Sequence, residues 1–252
     1  LRSEAGKTST KKYEAMLQCV CSDGRIRGLL QFYGASRTGR WAGRLVQLQN
    51  IPQNHLSDLD AARRDVLLCD REDFDLYYNR PLDTLSQLIR TAFIASEGKT
   101  LHVCDFSAIE ARVLAWIAGE KWVIEVFREG GDINCATASK MFGVTVEKHG
   151  ENSELRQKGK VATLALGYGG GVSALEAMGA GRMGLDAYEM QRIVRRWRNA
   201  NTQITAFWSV LERAAKAAIA TKRTYRINKG LRIGMLNGSL FIQLPSGRCL
   251  YY

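Results

Sequence analysis

Residues 101–118 have the sequence Leu-His-Val-Cys-Asp-Phe-Ser-Ala-Ile-Glu-Ala-Arg-Val-Leu-Ala-Trp-Ile-Ala, and their pattern changes in the middle. Leu101–Cys104 is short and partly apolar, which predicts a buried strand. Ser107–Ala118 has apolar residues at helical spacing, which predicts a helix, and its first residue and Glu110 form the pattern of a capping box. Asp105 therefore lies where a strand is expected to give way to a helix, with Glu110 in the first turn.

Asp105 is a candidate metal ligand. A carboxylate at a strand end can hold a hard divalent cation, because Mg²⁺ takes one or two carboxylates and lets phosphates supply further oxygens. Taken alone, the pattern is weak, because an aspartate at a strand–helix junction is more often a helix cap or a surface acid.

A second pattern begins about fifty residues later. Arg156, Lys160, Leu164 and Tyr168 recur every four residues, so they share one face of a predicted helix. Stacked arginine and lysine side chains can grip a triphosphate, the arginine by its fork and the lysine as a point charge. Three glycines beginning at Gly169 end the helix and let backbone approach a ligand closely. A solvated amphipathic helix with a glycine stop explains the same pattern equally well.

The composition limits the classes of protein to which the chain can belong. Its 252 residues are 46% hydrophobic and 24% charged, which is typical of a globular protein. A formal net charge of +11 favours a polyanionic partner such as nucleic acid. No apolar run approaches the ~18–20 residues of a membrane span, so no membrane partner is expected and a cytoplasmic location is predicted. The six cysteines contain no CxxC pair, which favours reduced thiols over a zinc site or disulfides.

The order of predicted elements indicates an α+β fold. Residues 1–20 are predicted to form a helix, residues 25–33 a strand and residues 34–54 an extended or looping segment. Further helices are expected at residues 82–92, 132–142, 153–166, 186–199 and 202–222. From residue 224 onward short alternating runs are separated by turn sequences, and Asn237-Gly238 predicts a hairpin.

Together these patterns resemble the family A DNA polymerases of the bacterial polymerase I type, and especially their phage branch. Residues 105–112 resemble the first palm motif of that family, and residues 156–169 match its fingers motif, the O helix. Upstream, residues 35–41 and 49–52 resemble the segment that lies along the primer-template minor groove. Downstream, residues 244–251 are similar to the hairpin that follows the fingers. The motifs stand in the family's order and cover nearly the whole chain.

The resemblance implies roles for individual residues. Asp105 would ligate two Mg²⁺ ions, with the Phe106 carbonyl helping, and Glu110 would be a steric gate against a ribose 2′-hydroxyl. Arg156 and Lys160 would hold the triphosphate and count with Asp105 as catalytic. The implied dNTP-binding set is Phe106, Ser107, Glu110, Asn134, Arg156, Lys160, Leu164 and Tyr168. The implied DNA-binding set is Arg40, Gln49, Asn50, Tyr168 and Gly169.

The resemblance also implies an architecture and partners. Residues 1–120 would form part of a right-hand polymerase palm, with a mixed or antiparallel sheet and the segment that contacts primer-template. Residues 121–252 would form mostly helical fingers, with C-terminal hairpins leading back to the palm. The expected partners are primer-template DNA, dNTPs and two Mg²⁺ ions. Replication of a phage genome in the host cytoplasm would follow from the phage-branch similarity.

Three departures from the family pattern qualify these expectations. Leu164 stands where the bacterial enzymes carry a bulky aromatic residue, and Asn134 replaces a histidine that often touches the triphosphate. The chain contains no His-Asp-Glu motif, which supplies the second metal-binding aspartate in the family. We therefore expect an incomplete catalytic core whose second aspartate lies on a missing C-terminal segment. One half of a split polymerase, completed by a second polypeptide, and a non-catalytic nucleic-acid-binding module remain alternatives.

Overall fold

The computed structural model describes residues 10–36 and 38–252. The chain forms two compact units that meet between Cys104 and Asp105, and each has its own hydrophobic core.

The first unit combines short helices with one β-hairpin. Its core is small and contains Met16, Val46, Ile51 and Ile89. The α-helices are α1 (Lys11–Cys19), α2 (Leu59–Leu68), α3 (Arg71–Tyr77) and α4 (Pro81–Leu88). One 3₁₀ turn, Leu48–Asn50, precedes α2, and another, Ile89–Ala92, follows α4. The antiparallel hairpin consists of β1 (Leu30–Ala35) and β2 (Arg40–Gly43).

The second unit is a helical block followed by a sheet. Its main core is formed by helix faces rich in Ala, Leu and Ile, including Ala162, Leu166 and Trp197. The helices are α5 (Ile109–Ala118), α6 (Lys121–Arg128), α7 (Ile133–Phe142), α8 (Leu155–Leu166), α9 (Val172–Ala177), α10 (Ala187–Ala200) and α11 (Thr202–Thr221). None of the helices in residues 10–36 and 38–252 has the length and hydropathy to cross a membrane.

The C-terminal sheet has four antiparallel strands in sequential order, and it packs its Ile233 against Ala214 and Ala218 of α11. Asn237 and Gly238 both take positive φ, 49° and 84°, as a two-residue hairpin turn requires, so the predicted Asn-Gly hairpin is confirmed. The strands are β3 (Tyr225–Arg226), β4 (Arg232–Leu236), β5 (Ser239–Gln243) and β6 (Cys249–Tyr251). The predicted α+β class is confirmed.

The start of the second unit differs from the prediction. Leu101–Cys104 is exposed and has no strand structure, so the predicted buried strand is wrong. A strand needs a neighbouring backbone to pair with, and no such pairing for this segment occurs within residues 10–36 and 38–252. Ser107 is not the helix cap either. Ala108 adopts a left-handed conformation with φ 51°, α5 starts at Ile109, and the expected capping box does not form.

The first unit also differs in detail. Residues 34–54, predicted to be extended or looping, contribute the end of β1, the whole of β2 and a 3₁₀ turn. The predicted strand at residues 25–33 is observed only from Leu30, and the helix at 82–92 continues from α4 into a 3₁₀ turn. Of the predicted helix at residues 1–20, residues 1–9 lie outside the described residues and α1 forms the rest. Helices α2 and α3 were not predicted.

The boundary between the compact units lies before α5 because that helix packs into the second core. Leu114, Ile117 and Ala118 contact the cluster that contains α8 and α10. The proposed palm and fingers division at residue 120 concerns function and stays a prediction.

Candidate active site

Residues 105–108 form an exposed turn that leads into α5, and Glu110 lies exposed in the first turn of that helix. The Ser107 N–H donates to the Asp105 carbonyl at 3.1 Å, and the Ile109 N–H donates to the Phe106 carbonyl at 3.1 Å. Between them Ala108 takes its left-handed conformation, which costs free energy for any residue with a Cβ. The turn therefore presents the carboxyl groups of Asp105 and Glu110 on one short, exposed segment.

Arg112 holds this turn in place. Its Nε donates to the Ser107 carbonyl at 2.9 Å, and its guanidinium lies 4.0 Å from the centroid of the Phe127 ring. The turn is thus tied to α5 and α6. Arg112 belongs to the motif stretch, but no role was predicted for it, since spacing alone does not show that the side chain folds back on the preceding loop.

The carboxylate of Asp105 suits a magnesium ion that is also coordinated by substrate phosphates. Asp105 is exposed, and its carboxylate has no hydrogen bond or ion pair within the part of the chain that the structure describes. Within those same residues no group of three or more His, Cys, Asp or Glu side chains could hold a metal. One carboxylate suits Mg²⁺ when waters and substrate phosphates supply the other oxygens, and it is too few for a cage made by protein alone.

The face predicted on the second motif helix is present on α8. Arg156, Lys160 and Leu164 lie within the helix, and Lys160 and Leu164 are exposed. Tyr168 lies two residues beyond the helix end with 70% of its surface exposed. Gly169 follows with φ 77°, where a side chain would be strained, so the chain turns away directly after the tyrosine.

Arg156 forms an ion pair with Asp132, a residue for which no role was predicted from the sequence. The guanidinium Nε and Nη2 donate to Asp132 Oδ2 at 2.9 and 2.7 Å. The other carboxylate oxygen, Oδ1, accepts the backbone N–H groups of Asn134 and Cys135 and caps α7. Burial raises the pKa of Asp132, but the hydrogen bonds from Arg156 and from the two backbone groups outweigh it, so the pKa lies below its ordinary value.

Asn134 lies in the first turn of α7, close to α8. A Cβ added at Gly159 would lie 2.1 Å from the Asn134 carbonyl oxygen and 3.0 Å from the Ala138 Cβ, so only glycine allows this approach. The Thr163 hydroxyl lies 3.2 Å from that of Thr137 on the facing helix. Asn134 and Arg156 are therefore positioned by the same pair of packed helices.

The two motif helices share one core. Leu114 and Ala118 of α5 pack in the cluster that contains Ala162 and Leu166 of α8. At the end of α8, Gly167 lies so close to α5 that an added Cβ would be 3.7 Å from Leu114 Cδ2. The helix that carries Glu110 and the helix that carries Lys160 thus contribute side chains to the same hydrophobic cluster.

The predicted DNA-binding residues of the first unit lie around its hairpin. Arg40 begins β2, and Gln49 and Asn50 lie in the 3₁₀ turn that follows. The Gln49 amide packs over Gly43, where an added Cβ would lie 2.4 Å from Oε1. The Asn50 Nδ2 donates to Gln47 Oε1 at 3.3 Å. These side chains belong to a polar part of the first unit.

Two DNA polymerases are similar in sequence to this chain. A DNA polymerase of Bacillus phage SP02 is 55% identical over 252 residues, which is 100% of this chain and 39% of the phage protein. The thermostable DNA polymerase I of Thermus thermophilus is 47% identical over 92 residues, 36% of this chain and 11% of that protein. This chain thus spans well under half of each relative's length.

A solved structure and a protein family also match this chain. The POL domain of Pol1 from M. smegmatis, solved in complex with DNA primer-template and dNTP, matches with a TM-score of 0.57 at 22% identity. The match covers 87% of this chain and 32% of that one, and it supports the predicted right-hand polymerase fold. The family described as DNA polymerase family A matches residues 3–230. By this match and the phage relative, the chain belongs to DNA polymerase family A.

Proposed function

We propose that this chain is the substrate-gripping part of a DNA polymerase that adds dNTPs to a primer 3′ end under the direction of a template. One observation carries the proposal. The basic face of α8, with Lys160 exposed and Arg156 fixed by Asp132, belongs to a helix packed on the same core as α5, which carries the Asp105–Glu110 turn. The same hydrophobic core thus supports the basic side chains proposed to bind a triphosphate and the carboxylate proposed to bind its metal ion.

The reaction needs positioning and charge neutralisation more than covalent chemistry from the protein. Lys160 would neutralise charge on the incoming triphosphate, and Arg156 would contact it with the guanidinium nitrogen that Asp132 leaves out of the ion pair. Asn134 would add a weaker polar contact from the start of α7. In the reaction the primer 3′-oxygen attacks the α-phosphorus in line, and the bond to the leaving pyrophosphate breaks.

Asp105 would hold the catalytic Mg²⁺, helped by the Phe106 carbonyl oxygen. The magnesium bound there would supply electrostatic stabilisation of the entering and leaving oxygens, and two ions are expected in the complete enzyme. Ser107 lies in the same turn beside the nucleotide. The protein's own part is to fix this turn through Arg112, so that the carboxylate stays where the triphosphate arrives.

Selection of the sugar and the base would fall to side chains around this turn. Glu110 would occupy the space of a ribose 2′-hydroxyl and so favour deoxyribonucleotides, since that hydroxyl is what distinguishes RNA from DNA. Leu164 would border the sugar. Tyr168 and Gly169 would stack beside the templating base, which the exposed phenol ring and open backbone allow.

The proposed macromolecular partner is primer-template DNA, with Arg40, Gln49 and Asn50 contacting the duplex. A net charge of +11 suits such a partner. The M. smegmatis relative was solved with primer-template and dNTP, which supports the same partners here. Similarity to a phage polymerase supports a role in phage DNA replication in the cytoplasm of a bacterial host.

The proposed catalytic core is incomplete within this chain. The described residues contain no group of three or more His, Cys, Asp or Glu side chains that could hold a metal, and Glu110 is assigned to the sugar, so we assign the second metal-binding carboxylate to a segment outside this sequence. That segment could be continuous with the chain or belong to a second polypeptide. A non-catalytic nucleic-acid-binding module is less favoured, because the relatives are named DNA polymerases.

Primer extension tests this proposal. The chain alone should bind primer-template with strong salt dependence and, with Mg²⁺ and dNTPs, extend it weakly or not at all. Adding the segment with the second carboxylate should give extension, and Asp105→Ala should then abolish it while DNA affinity changes by no more than a few-fold. Robust extension by the chain alone would contradict the incompleteness, and no affinity for primer-template would contradict a polymerase role.

A further inference from the structure

A basic groove lies between α8 and α10, away from the candidate active site. It encloses about 220 Å³ and is lined by Lys158 from α8 and by Arg192 and Arg196 from α10, with Phe142 and Glu189 at its sides. We call it the α10 groove. Lys158 is two residues from both Arg156 and Lys160, which places it about 200° around the helix from each of them. The groove is therefore on the opposite side of α8 from the proposed triphosphate face.

The cations of the α10 groove lack anionic partners. Lys158, Arg192 and Arg196 form no ion pair within residues 10–36 and 38–252. The carboxylate that lines the groove, Glu189, already accepts the Asp186 N–H at 3.2 Å in the capping box that starts α10. Three cations on two helices around one hollow thus leave an excess of positive charge that suits an anionic ligand.

Aromatic rings accompany these cations. Tyr188 is 66% exposed, one turn before Arg192, whose guanidinium lies 5.8 Å from the tyrosine ring centroid. Phe142 borders the groove, with the Lys158 ammonium 5.9 Å from its ring centroid. Cations beside an exposed aromatic face, here that of Tyr188, suit single-stranded nucleic acid, whose bases stack without regard to sequence. An acidic peptide would use the charges but would have no particular need of the exposed ring.

The cationic surface continues on the other side of α10. A second hollow of about 270 Å³ there is lined by Arg195 and Arg198, and Arg198 also donates to the Gly170 carbonyl at 3.2 Å. The buried face of α10 is formed by Met190, Ile193 and Trp197, so the arginines are free to face solvent. A strand that entered the α10 groove could follow α10 along its length.

We propose that the α10 groove binds single-stranded DNA, specifically the unpaired template strand. This inference rests on the proposed function, because a polymerase acting on primer-template must also accommodate the unpaired template. Binding by phosphate contacts and stacking would be independent of sequence, as a template requires.

DNA binding by the 252-residue chain tests the inference. Fluorescence anisotropy would compare a blunt duplex, the same duplex with a 5′ template overhang, and oligo(dT), over a range of salt. Arg192→Gln/Arg196→Gln should lose most of the affinity gained from the overhang and most of the oligo(dT) binding. The slope of log K against log salt for oligo(dT) should fall by about 1.4, or ~0.7 for each lost phosphate contact. Arg192→Lys/Arg196→Lys should keep most of the binding, because a lysine still supplies the charge.

The matched control removes two exposed cations elsewhere, Arg213→Gln/Arg223→Gln, and should leave the overhang effect unchanged. Circular dichroism and thermal melting check that each variant folds. An equal loss in the control, or an equal loss on the blunt duplex, would overturn the inference. So would unchanged DNA binding together with lost binding of polyglutamate, which would indicate an acidic protein partner. A wild-type chain that binds oligo(dT) through the groove but shows no affinity for primer-template would contradict only the proposed function.

Discussion

Asp132 uses its two carboxylate oxygens for different tasks. One oxygen caps α7 beside Asn134, and the other holds the guanidinium of Arg156 on α8. A residue that never touches a substrate in the proposed mechanism thereby orients two that do. We infer that Asp132 is a positioning residue for the triphosphate site.

Substitution of Asp132 separates these two tasks. Asp132→Asn keeps a good N-cap but loses the charge, whereas Asp132→Ala loses both and should cost about 1 kcal/mol more in the free energy of unfolding. The pKa of Asp132 is lower in the folded state than its value of ~3.9 in the unfolded chain. Its charge therefore stabilises the fold at pH values above the unfolded pKa, and this stabilisation is lost as the pH falls through the folded pKa. Urea unfolding between pH 3 and 7 should therefore show a smaller acid loss in Asp132→Asn. The same acid loss in wild type and variant would contradict the pairing.

Glu110 lies in the first turn of α5 with its side chain exposed, next to the proposed metal ligand Asp105. Glu110→Ala would open the space where a ribose 2′-hydroxyl would lie. In the polymerase completed with its second carboxylate, the variant should raise incorporation of ribonucleotides relative to deoxyribonucleotides. Glu14→Ala, on α1 in the other unit, is a control that should leave the ratio unchanged. An unchanged ratio in Glu110→Ala would remove the gate assignment.

At the scale of the element, α7 and α8 act as one packed pair. Their contact depends on Gly159, which lies against the Asn134 carbonyl where no Cβ fits. Glu120 makes a similar link elsewhere: its buried carboxylate accepts the Gln203 N–H at 2.9 Å and so caps α11 from 83 residues away. Tertiary contacts, more than helix propensity, fix where these helices begin and how they are oriented.

Gly159→Ala tests the α7–α8 contact. Alanine is the better helix former by roughly 0.5–1 kcal/mol, but overpacking against backbone typically costs about 1–3 kcal/mol, so the variant should be destabilised. Gly181→Ala is the control, because an added Cβ there has no neighbour within 4 Å in the described structure and the backbone is not left-handed. Urea unfolding compares the two variants. A Gly159→Ala protein as stable as Gly181→Ala would show that the contact is looser than described.

Periodicity predicted the elements whose own sequence determines them. Helices α7, α8, α10 and α11 and the Asn237-Gly238 hairpin lie close to where spacing and turn chemistry predicted them. The strand at Leu101–Cys104 does not, because a strand depends on a partner that its own sequence cannot supply. The short helices α2 and α3 were missed, since their charged sequences carry little apolar periodicity and their capping aspartates, Asp58 and Asp70, were not recognised.

The candidate site also contains both features that the sequence predicted and features that it did not. Spacing of four residues placed Arg156 and Lys160 on one face of a helix, and the helix is there. The ion pair between Asp132 and Arg156 joins residues that are 24 positions apart in the sequence. The side chain of Arg112 donates back to the Ser107 carbonyl. No sequence pattern indicates such pairs, because they depend on how helices pack and where a turn bends.

At the scale of the whole molecule, a chain with a net charge of +11 carries cations on two different surfaces of its second unit. The α8 face is proposed for the triphosphate, and the α10 groove is proposed for the unpaired strand. Both surfaces are built on the same helical core, and the exposed turn that carries Asp105 leads into α5, which packs in that core. We therefore propose that this chain is the part of a polymerase that binds the substrates, and that its α8 face binds the incoming nucleotide.

Equilibrium binding of dNTP·Mg²⁺ to the chain on primer-template measures whether the α8 face binds the nucleotide. Wild type should bind the dNTP that pairs with the templating base more tightly than a mismatched one. Lys160→Ala should weaken binding of the correct dNTP by at least the roughly tenfold that corresponds to about 1.4 kcal/mol, as expected for a lost charge-assisted contact, while Lys216→Ala on α11 should not. Equal affinity for the correct dNTP in wild type and Lys160→Ala would contradict the account.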